Sequence, residues 1–200
     1  MPTTPIAAPS YAWENLPGMV NGYMPRIRGH AVAYVCAWFI AMASSSFAAE
    51  LHKGPGLQVR LVADSLSVAP GTSFLAGLYF QLEEGWHIYW QNAGDSGEPP
   101  TITWDVLPDV DVGPILWPVP KRIDVGPFVN YGYENEVLLP IPMQLGATFG
   151  GDYLRLAADI HWLVCKEACI PGQAHLTLPV PTRQGQPTPD VRWSTLFEAT

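Results

Sequence analysis

The 200-residue chain carries 18 acidic against 10 basic residues, a formal net charge of −8, and is 48% hydrophobic but only 14% charged. This acidic balance makes nucleic acid and anionic membrane surfaces poor partners, and the apolar content excludes a largely disordered protein. The 21 prolines and 18 glycines divide a chain that is 12% aromatic into short runs, which is typical of an all-β fold.

The N-terminal part, residues 1–49, has the features of an extension followed by a secretory signal peptide. The apolar run AVAYVCAWFIAMA (31–43) is too short to cross a bilayer as a helix, which takes roughly 20 residues. Arginines precede this run, and small residues after it offer cleavage following Ala48 or Ala49. The alternative is a buried core helix. We expect an exported protein that begins at Glu50, with eight Lys and Arg against seventeen Asp and Glu.

The exported part is predicted to be an antiparallel β-sandwich. Eight or nine short runs follow one another without a helical period between them. The predicted strands are LQVRLVA (57–63), SFLAGLYFQL (73–82), WHIYWQNA (86–93), ITWDV (102–106), ILWPV (115–119), EVLLPIPMQL (136–145), YLRLAADIHWLVC (153–165) and HLTLPV (175–180). Proline within EVLLPIPMQL and HLTLPV predicts that these two are edge strands or contain bulges. We expect the domain to span residues 50–182, with a linker and an unfinished segment over 183–200.

Two cysteines remain after signal removal, Cys165 and Cys169, within HWLVCKEACIPG. An even pair in an oxidising compartment is expected to form a disulfide. In one extended strand their Cα atoms would lie roughly 13 Å apart, whereas a disulfide needs about 7 Å or less, so residues 166–168 must reverse the chain. A disulfide that closes so short a loop recovers little entropy, and a strained, accessible one exchanges readily. The spacing favours a redox pair over a staple.

Other chemistry in this segment leaves alternatives open. Asp159 and His161 occupy alternate positions, so we expect them to face one side of a strand and to assist proton transfer. His161, Cys165, Cys169 and His175 form an alternative ligand set for copper or zinc. A further alternative is a β-sandwich module that binds a protein and whose disulfide is purely structural.

Three segments together resemble a known family: GWHIYWQNAGDSGEPPTITWDV, FVNYGYENEVLLPIPM and ADIHWLVCKEACIPG. They are similar to the periplasmic N-terminal domain of thiol:disulfide interchange proteins of the DsbD and ScsB type, over roughly residues 55–182. The resemblance implies an immunoglobulin-like sandwich, a periplasmic location and a redox pair formed by Cys165 and Cys169. It favours Cys169 as the sulfur that forms the mixed disulfide, with Cys165 resolving it.

The resemblance also implies partners and a cap. The domain would act as a protein-disulfide reductase without a cofactor, taking electrons from a membrane-embedded donor domain and passing them to periplasmic thioredoxin-like or disulfide isomerase proteins. Phe128, Tyr131 and Tyr133 match the region where the family places a loop that caps the cysteines. Three residues separate the cysteines here, where the best-known members have five.

Overall fold

The computed structural model describes residues 50–200, so the predicted signal peptide lies outside the described residues. Within residues 50–200, no helix has the length and apolar character needed to cross a membrane. These residues form thirteen strands and one short helix, α1. The strands are β1 (Leu51–Gly54), β2 (Leu57–Ala63), β3 (Ser65–Ser67), β4 (Ser73–Leu82), β5 (His87–Gly94), β6 (Thr101–Trp104), β7 (Val110–Val112), β8 (Lys121–Val125), β9 (Phe128–Glu134), β10 (Glu136–Leu145), β11 (Tyr153–Cys165), β12 (Cys169–Pro181) and β13 (Thr188–Pro189), and α1 is Ser194–Glu198.

Two antiparallel sheets make up the sandwich. One has five strands in the order β1-β2-β4-β10-β7, and the other has six, in the order β12-β11-β5-β9-β8 with β6 also paired to β11. A small third sheet joins β13 to β3. The predicted fold class, an all-β antiparallel sandwich of the immunoglobulin-like kind, is confirmed.

The core fills the space between the two large sheets because alternate residues of each strand face inward. In β11 the inward positions from Leu154 to Val164 are buried, whereas Asp159 and His161 between them are exposed. The larger core cluster combines residues of both sheets, among them Phe80, Leu139 and Trp162. The alternation in β11 therefore fixes which of its residues lie on the outer face with Cys165.

The prolines of β10 and β12 lie where no neighbouring strand needs a hydrogen bond from the N–H that proline lacks. β12 is an edge strand. β10 pairs with β7 only over Met143–Leu145. The carbonyls of Pro140 and Pro142 accept hydrogen bonds from backbone N–H groups of residues 116 and 113, which lie outside any strand. The prediction of an edge position is thus confirmed for β12, whereas β10 lies between β4 and β7, with its prolines outside the pairing to β7. The predicted strand at 115–119 is wrong: residues 113–120 have no strand conformation, since the three prolines in this stretch cannot donate to a ladder.

Residues 183–200, expected from sequence to be a linker and an unfinished element, lie against the sandwich. β13 pairs with β3, and the Asp190 N–H donates to the Asp64 carbonyl at 2.7 Å. In α1, Phe197 is 8% exposed and packs in a cluster with Val62, Tyr79 and Leu138. This segment covers the outer face of the five-stranded sheet.

Candidate redox site

The two cysteines face each other at the tip of a long hairpin. β11 ends at Cys165, β12 begins at Cys169, and the two residues are directly paired in register. The intervening turn is closed by the Lys166 N–H, which donates to the Ala168 carbonyl at 3.3 Å. The Cα atoms are 4.1 Å apart and the sulfurs are bonded. The reversal that the spacing requires over residues 166–168 is therefore present.

The two sulfurs differ in their access to solvent. Cys165 is 3% exposed, whereas Cys169 is an exposed residue. The difference follows from the sheet: Cys165 lies between β12 and β5, where it pairs with His87, but Cys169 belongs to the edge strand. A thiol of another protein can therefore approach the disulfide from the Cys169 side only.

A tyrosine from a distant strand contacts both sulfurs. The Tyr89 hydroxyl donates to the Cys165 Sγ at 3.0 Å and lies 3.4 Å from the Cys169 Sγ. β5 places it there because His87 is opposite Cys165, and Tyr89, two residues further on, projects from the same face. Burial raises the pKa of Tyr89, while its side-chain hydrogen bond with Ser96 works in the opposite direction. The sequence analysis did not predict this contact.

A loop over residues 94–97 covers the ring of Tyr89, which is only 1% exposed. Gly97 has a φ of +89°, and a Cβ atom there would fall 2.1 Å from the tyrosine Cζ. The loop is held by Asn130, itself 1% exposed, whose Oδ1 accepts from the Ser96 N–H at 3.0 Å and from its hydroxyl at 3.1 Å. This loop, rather than the 128–134 segment, covers the tyrosine that contacts the disulfide.

His87 is a second buried polar residue beside the sulfurs. It is 3% exposed, and its Nε2 has no hydrogen-bond partner within the described region. Its ring stands edge-on to Tyr89 with the centroids 5.3 Å apart. Burial lowers the pKa of His87, and the charge of Glu134, its register partner on β9, opposes that shift. The imidazole is therefore held neutral at neutral pH.

Other charged residues near the hairpin are engaged away from the sulfurs. The Lys166 ammonium donates to the Glu84 carbonyl at 3.1 Å, at the turn between β4 and β5. Glu134 forms an ion pair with Lys121 at 3.6 Å. Glu136 accepts from the Tyr79 hydroxyl at 2.6 Å, in the other sheet.

The three residues predicted to form a cap differ in where the structure places them. They lie on the β8–β9 hairpin, which is a strand pair and not a loop. Tyr133 is 5% exposed within the core cluster, and its hydroxyl donates to the Pro118 carbonyl at 2.8 Å. Its role as a cap stays a prediction, although its neighbour Gly132, not Tyr133, shares the face of Tyr89. Tyr131 projects as Tyr133 does and packs against Trp90 with ring centroids 6.5 Å apart.

Phe128, the third predicted cap residue, begins β9 beside the hairpin turn and is 48% exposed. By strand alternation it shares the face of Gly132 and hence that of Tyr89. It lies four residues, roughly 13 Å, along the strand from Gly132. Among the three, Phe128 is the one whose face is compatible with the predicted cap.

The polar residues earlier in β11 lie far from the disulfide. His161 and Asp159 precede Cys165 by four and six residues, so their Cα atoms are roughly 13 and 20 Å away along the strand. Asp159 accepts from the His175 Nδ1 at 2.9 Å, and the two residues are register partners. The structure pairs Asp159 with His175, but it brings neither Asp159 nor His161 to the sulfurs.

The structure does not bring the four residues of the alternative metal site together. His161 and His175 would have to join both cysteines around one ion, but the hairpin spaces these residues out along its length. His175 lies six residues, roughly 20 Å, from Cys169 along β12, and the thiols are joined to each other. Within residues 50–200, no group of three or more His, Cys, Asp or Glu residues is placed to hold a metal ion.

The family model and one solved structure point to the same family. The family model of the N-terminal region of thiol:disulfide interchange protein DsbD matches residues 58–181. The chain is similar to the N-terminal periplasmic domain of ScsB from Proteus mirabilis, at 26% identity and a TM-score of 0.54 over 74% of this chain and 56% of that one. It thus spans little more than half the length of that relative. No curated protein matches the chain.

Two further structures share less. The reduced N-terminal domain of Neisseria meningitidis DsbD aligns at 13% identity and a TM-score of 0.35, over 66% of this chain and 90% of that one. The yeast GGA1 GAE domain aligns at 9% identity and a TM-score of 0.36, over 66% of this chain and 99% of that one. Neither likeness is close enough to bear on function.

Proposed function

Since the chain belongs to the family of DsbD N-terminal domains, we propose that it is a periplasmic protein-disulfide reductase domain whose Cys165–Cys169 pair relays electrons to disulfides of partner proteins. The observation that carries this proposal is the bonded pair at a hairpin tip, with one buried and one exposed cysteine. A staple would gain more by joining distant strands, but this disulfide joins neighbours that the hairpin already holds together.

The difference in exposure between the two cysteines supports different roles for them in the proposed reaction. In the reducing direction, the Cys169 thiolate attacks a partner disulfide and forms an intermolecular mixed disulfide. Cys165 then attacks Cys169, the partner's thiolate leaves, and the domain is oxidised. Two electrons have passed to the partner. The electrons reside in the two sulfurs, so the proposed exchange calls for no cofactor.

The proposed partners are of two kinds. A membrane-embedded dithiol domain would reduce the pair, and periplasmic thioredoxin-like or disulfide isomerase proteins would be reduced by it. The periplasmic location rests on the predicted signal peptide and on the described location of the ScsB domain that this chain is similar to. Both kinds of partner must reach Cys169, so they bind the same edge of the hairpin in turn.

The test is the equilibrium reduction potential of the pair, measured on the purified protein in glutathione or dithiothreitol buffers with alkylation and mass spectrometry of the hairpin peptide. We expect a value between roughly −180 and −270 mV, the range of exchange proteins. A Cys165→Ser variant, which cannot form the bond, is the control and should show no such transition. A value below about −300 mV would indicate a structural disulfide and overturn the proposal.

A further inference from the structure

The Tyr89 hydroxyl is placed to act on both sulfurs of the disulfide. It donates to the Cys165 Sγ at 3.0 Å and lies 3.4 Å from the Cys169 Sγ. The contact is long-range in sequence, since 76 residues separate Tyr89 from Cys165. It is therefore made by the pairing of β5 with β11 at Val164 and Cys165, and not by the hairpin itself.

The surroundings fix this hydroxyl in place. Gly97 lies against the ring, where a Cβ atom would be 2.1 Å from Cζ, and the His87 ring meets it edge-on. Asn130 holds the loop that carries Gly97, through both hydrogen bonds from Ser96. A donor positioned in advance needs no reorganisation when charge develops beside it.

Charge does develop at this point in thiol-disulfide exchange. When the thiolate of a donor dithiol attacks Cys169, a new S–S bond forms there and the bond to Cys165 breaks. Cys165 leaves with the electron pair as a thiolate. The second thiolate of the donor then releases Cys169, so that the donor is oxidised and the domain reduced. The Cys165 thiolate forms at a residue that is 3% exposed, where water cannot solvate it fully.

We propose that Tyr89 is a catalytic residue of this exchange, whose hydroxyl hydrogen-bonds the Cys165 sulfur as it leaves and stabilises the thiolate. The proposal rests on the exchange function proposed above. The phenol keeps its proton throughout and acts only as a donor. In the reverse direction the same hydrogen bond holds Cys165 aimed at Cys169 when it resolves a mixed disulfide.

The test is the rate at which dithiothreitol reduces the oxidised protein at pH 7, comparing wild type with Tyr89→Phe. Removing the hydrogen bond to a developing charge is expected to slow reduction by about tenfold or more. A structural role would not move the second readout, the pH profile of Cys165 alkylation in the reduced protein. We expect the pKa of the Cys165 thiol to rise by about one unit in the variant, which corresponds to the same factor of ten.

The matched control is Tyr79→Phe, which removes another buried hydroxyl that donates to Glu136 in the other sheet. It should be reduced at the wild-type rate. Equal rates and pH profiles for Tyr89→Phe and wild type would overturn the role of Tyr89 while leaving the exchange function intact. A wild-type protein whose potential lies in the structural range would overturn both.

Should the phenylalanine variant fail to fold, 3-fluorotyrosine introduced at position 89 keeps the ring and the hydroxyl while making the phenol a stronger donor. We expect this protein to be reduced faster than wild type. A rate equal to or slower than that of wild type would contradict the proposal.

Discussion

Cys165 and Cys169 are opposite each other in the register of β11 and β12, yet Cys165 is 3% exposed and Cys169 is open to solvent. Hydrogen-bonded strands flank Cys165 on both sides, whereas Cys169 lies on the edge strand of the six-stranded sheet. Sheet position alone thus makes one sulfur accessible and the other protected. The first prediction tests that difference.

Single-serine variants should separate the reactivity of the two thiols. In Cys165→Ser the remaining Cys169 thiol is exposed, and in Cys169→Ser the remaining Cys165 thiol is buried. We expect Cys169 to react with a chromogenic disulfide at least about tenfold faster than Cys165 in the native proteins. Labelling in denaturant is the control and should be equal. Equal native rates would mean that burial does not determine which sulfur forms the mixed disulfide.

Gly97→Ala should destabilise the domain through the ring of Tyr89. A φ of +89° is strained for alanine, and the added Cβ would meet the ring at 2.1 Å. We expect the free energy of unfolding, measured in urea, to fall by about 2–4 kcal/mol, which combines backbone strain with overpacking.

Gly126→Ala is the matched control for this substitution. Gly126 also has a positive φ, of +59°, but a Cβ there meets nothing within 4 Å. It should cost only the backbone component, about 1 kcal/mol. Equal losses for the two variants would show that the 94–97 loop does not press on Tyr89.

His87 should make stability depend on pH below neutrality. Its pKa is lowered by burial, whereas in the unfolded chain it is about 6.5. Below pH 6.5 the unfolded state therefore binds a proton that the folded state does not, so stability is full above pH 6.5 and decreases as the pH falls. Between pH 7.5 and 5.5 this histidine should remove up to about 1.4 kcal/mol from the free energy of unfolding.

His87→Gln should abolish that part of the pH dependence, whereas the same change at the exposed His161 should leave it in place. The groups that face His87 are Glu134 on β9, Cys165 on β11 and Tyr89 on its own strand. An unchanged pH profile in His87→Gln would assign the dependence to other groups.

Phe197→Ala tests whether the packing of residues 183–200 against the sandwich stabilises the domain. Phe197 is 8% exposed, and its ring packs over Gly77, where an added Cβ atom would be 3.2 Å from the Phe197 Cε1. Its removal is expected to lower the free energy of unfolding by about 2 kcal/mol, the contribution of one buried apolar side chain. Val191→Ala, at a residue that is 82% exposed, should change it by less than about 0.5 kcal/mol. No loss in Phe197→Ala would instead favour a domain that ends near residue 182.

The sequence by itself determined the local structure. The run 153–165 alternates apolar and polar residues, which predicts a strand with one buried face, and the three residues between the cysteines predicted the reversal that the structure contains. The prolines of β12 predicted its edge position, because proline lacks the N–H that an inner strand must donate. These features depend on neighbouring residues only, so the sequence was sufficient.

The tertiary structure alone decided what surrounds the sulfurs. Alternation indicated that Asp159 and His161 share a face, but their distance along β11 removes them from the site. His87 and Tyr89 occupy it instead, because β5 pairs with the end of β11. Likewise, Tyr133 lies in the core and Gly132 faces the site, since the register of β9 against β5 determines the face. Strand partners and register are set by the packing of the whole sandwich, which no short stretch of sequence encodes.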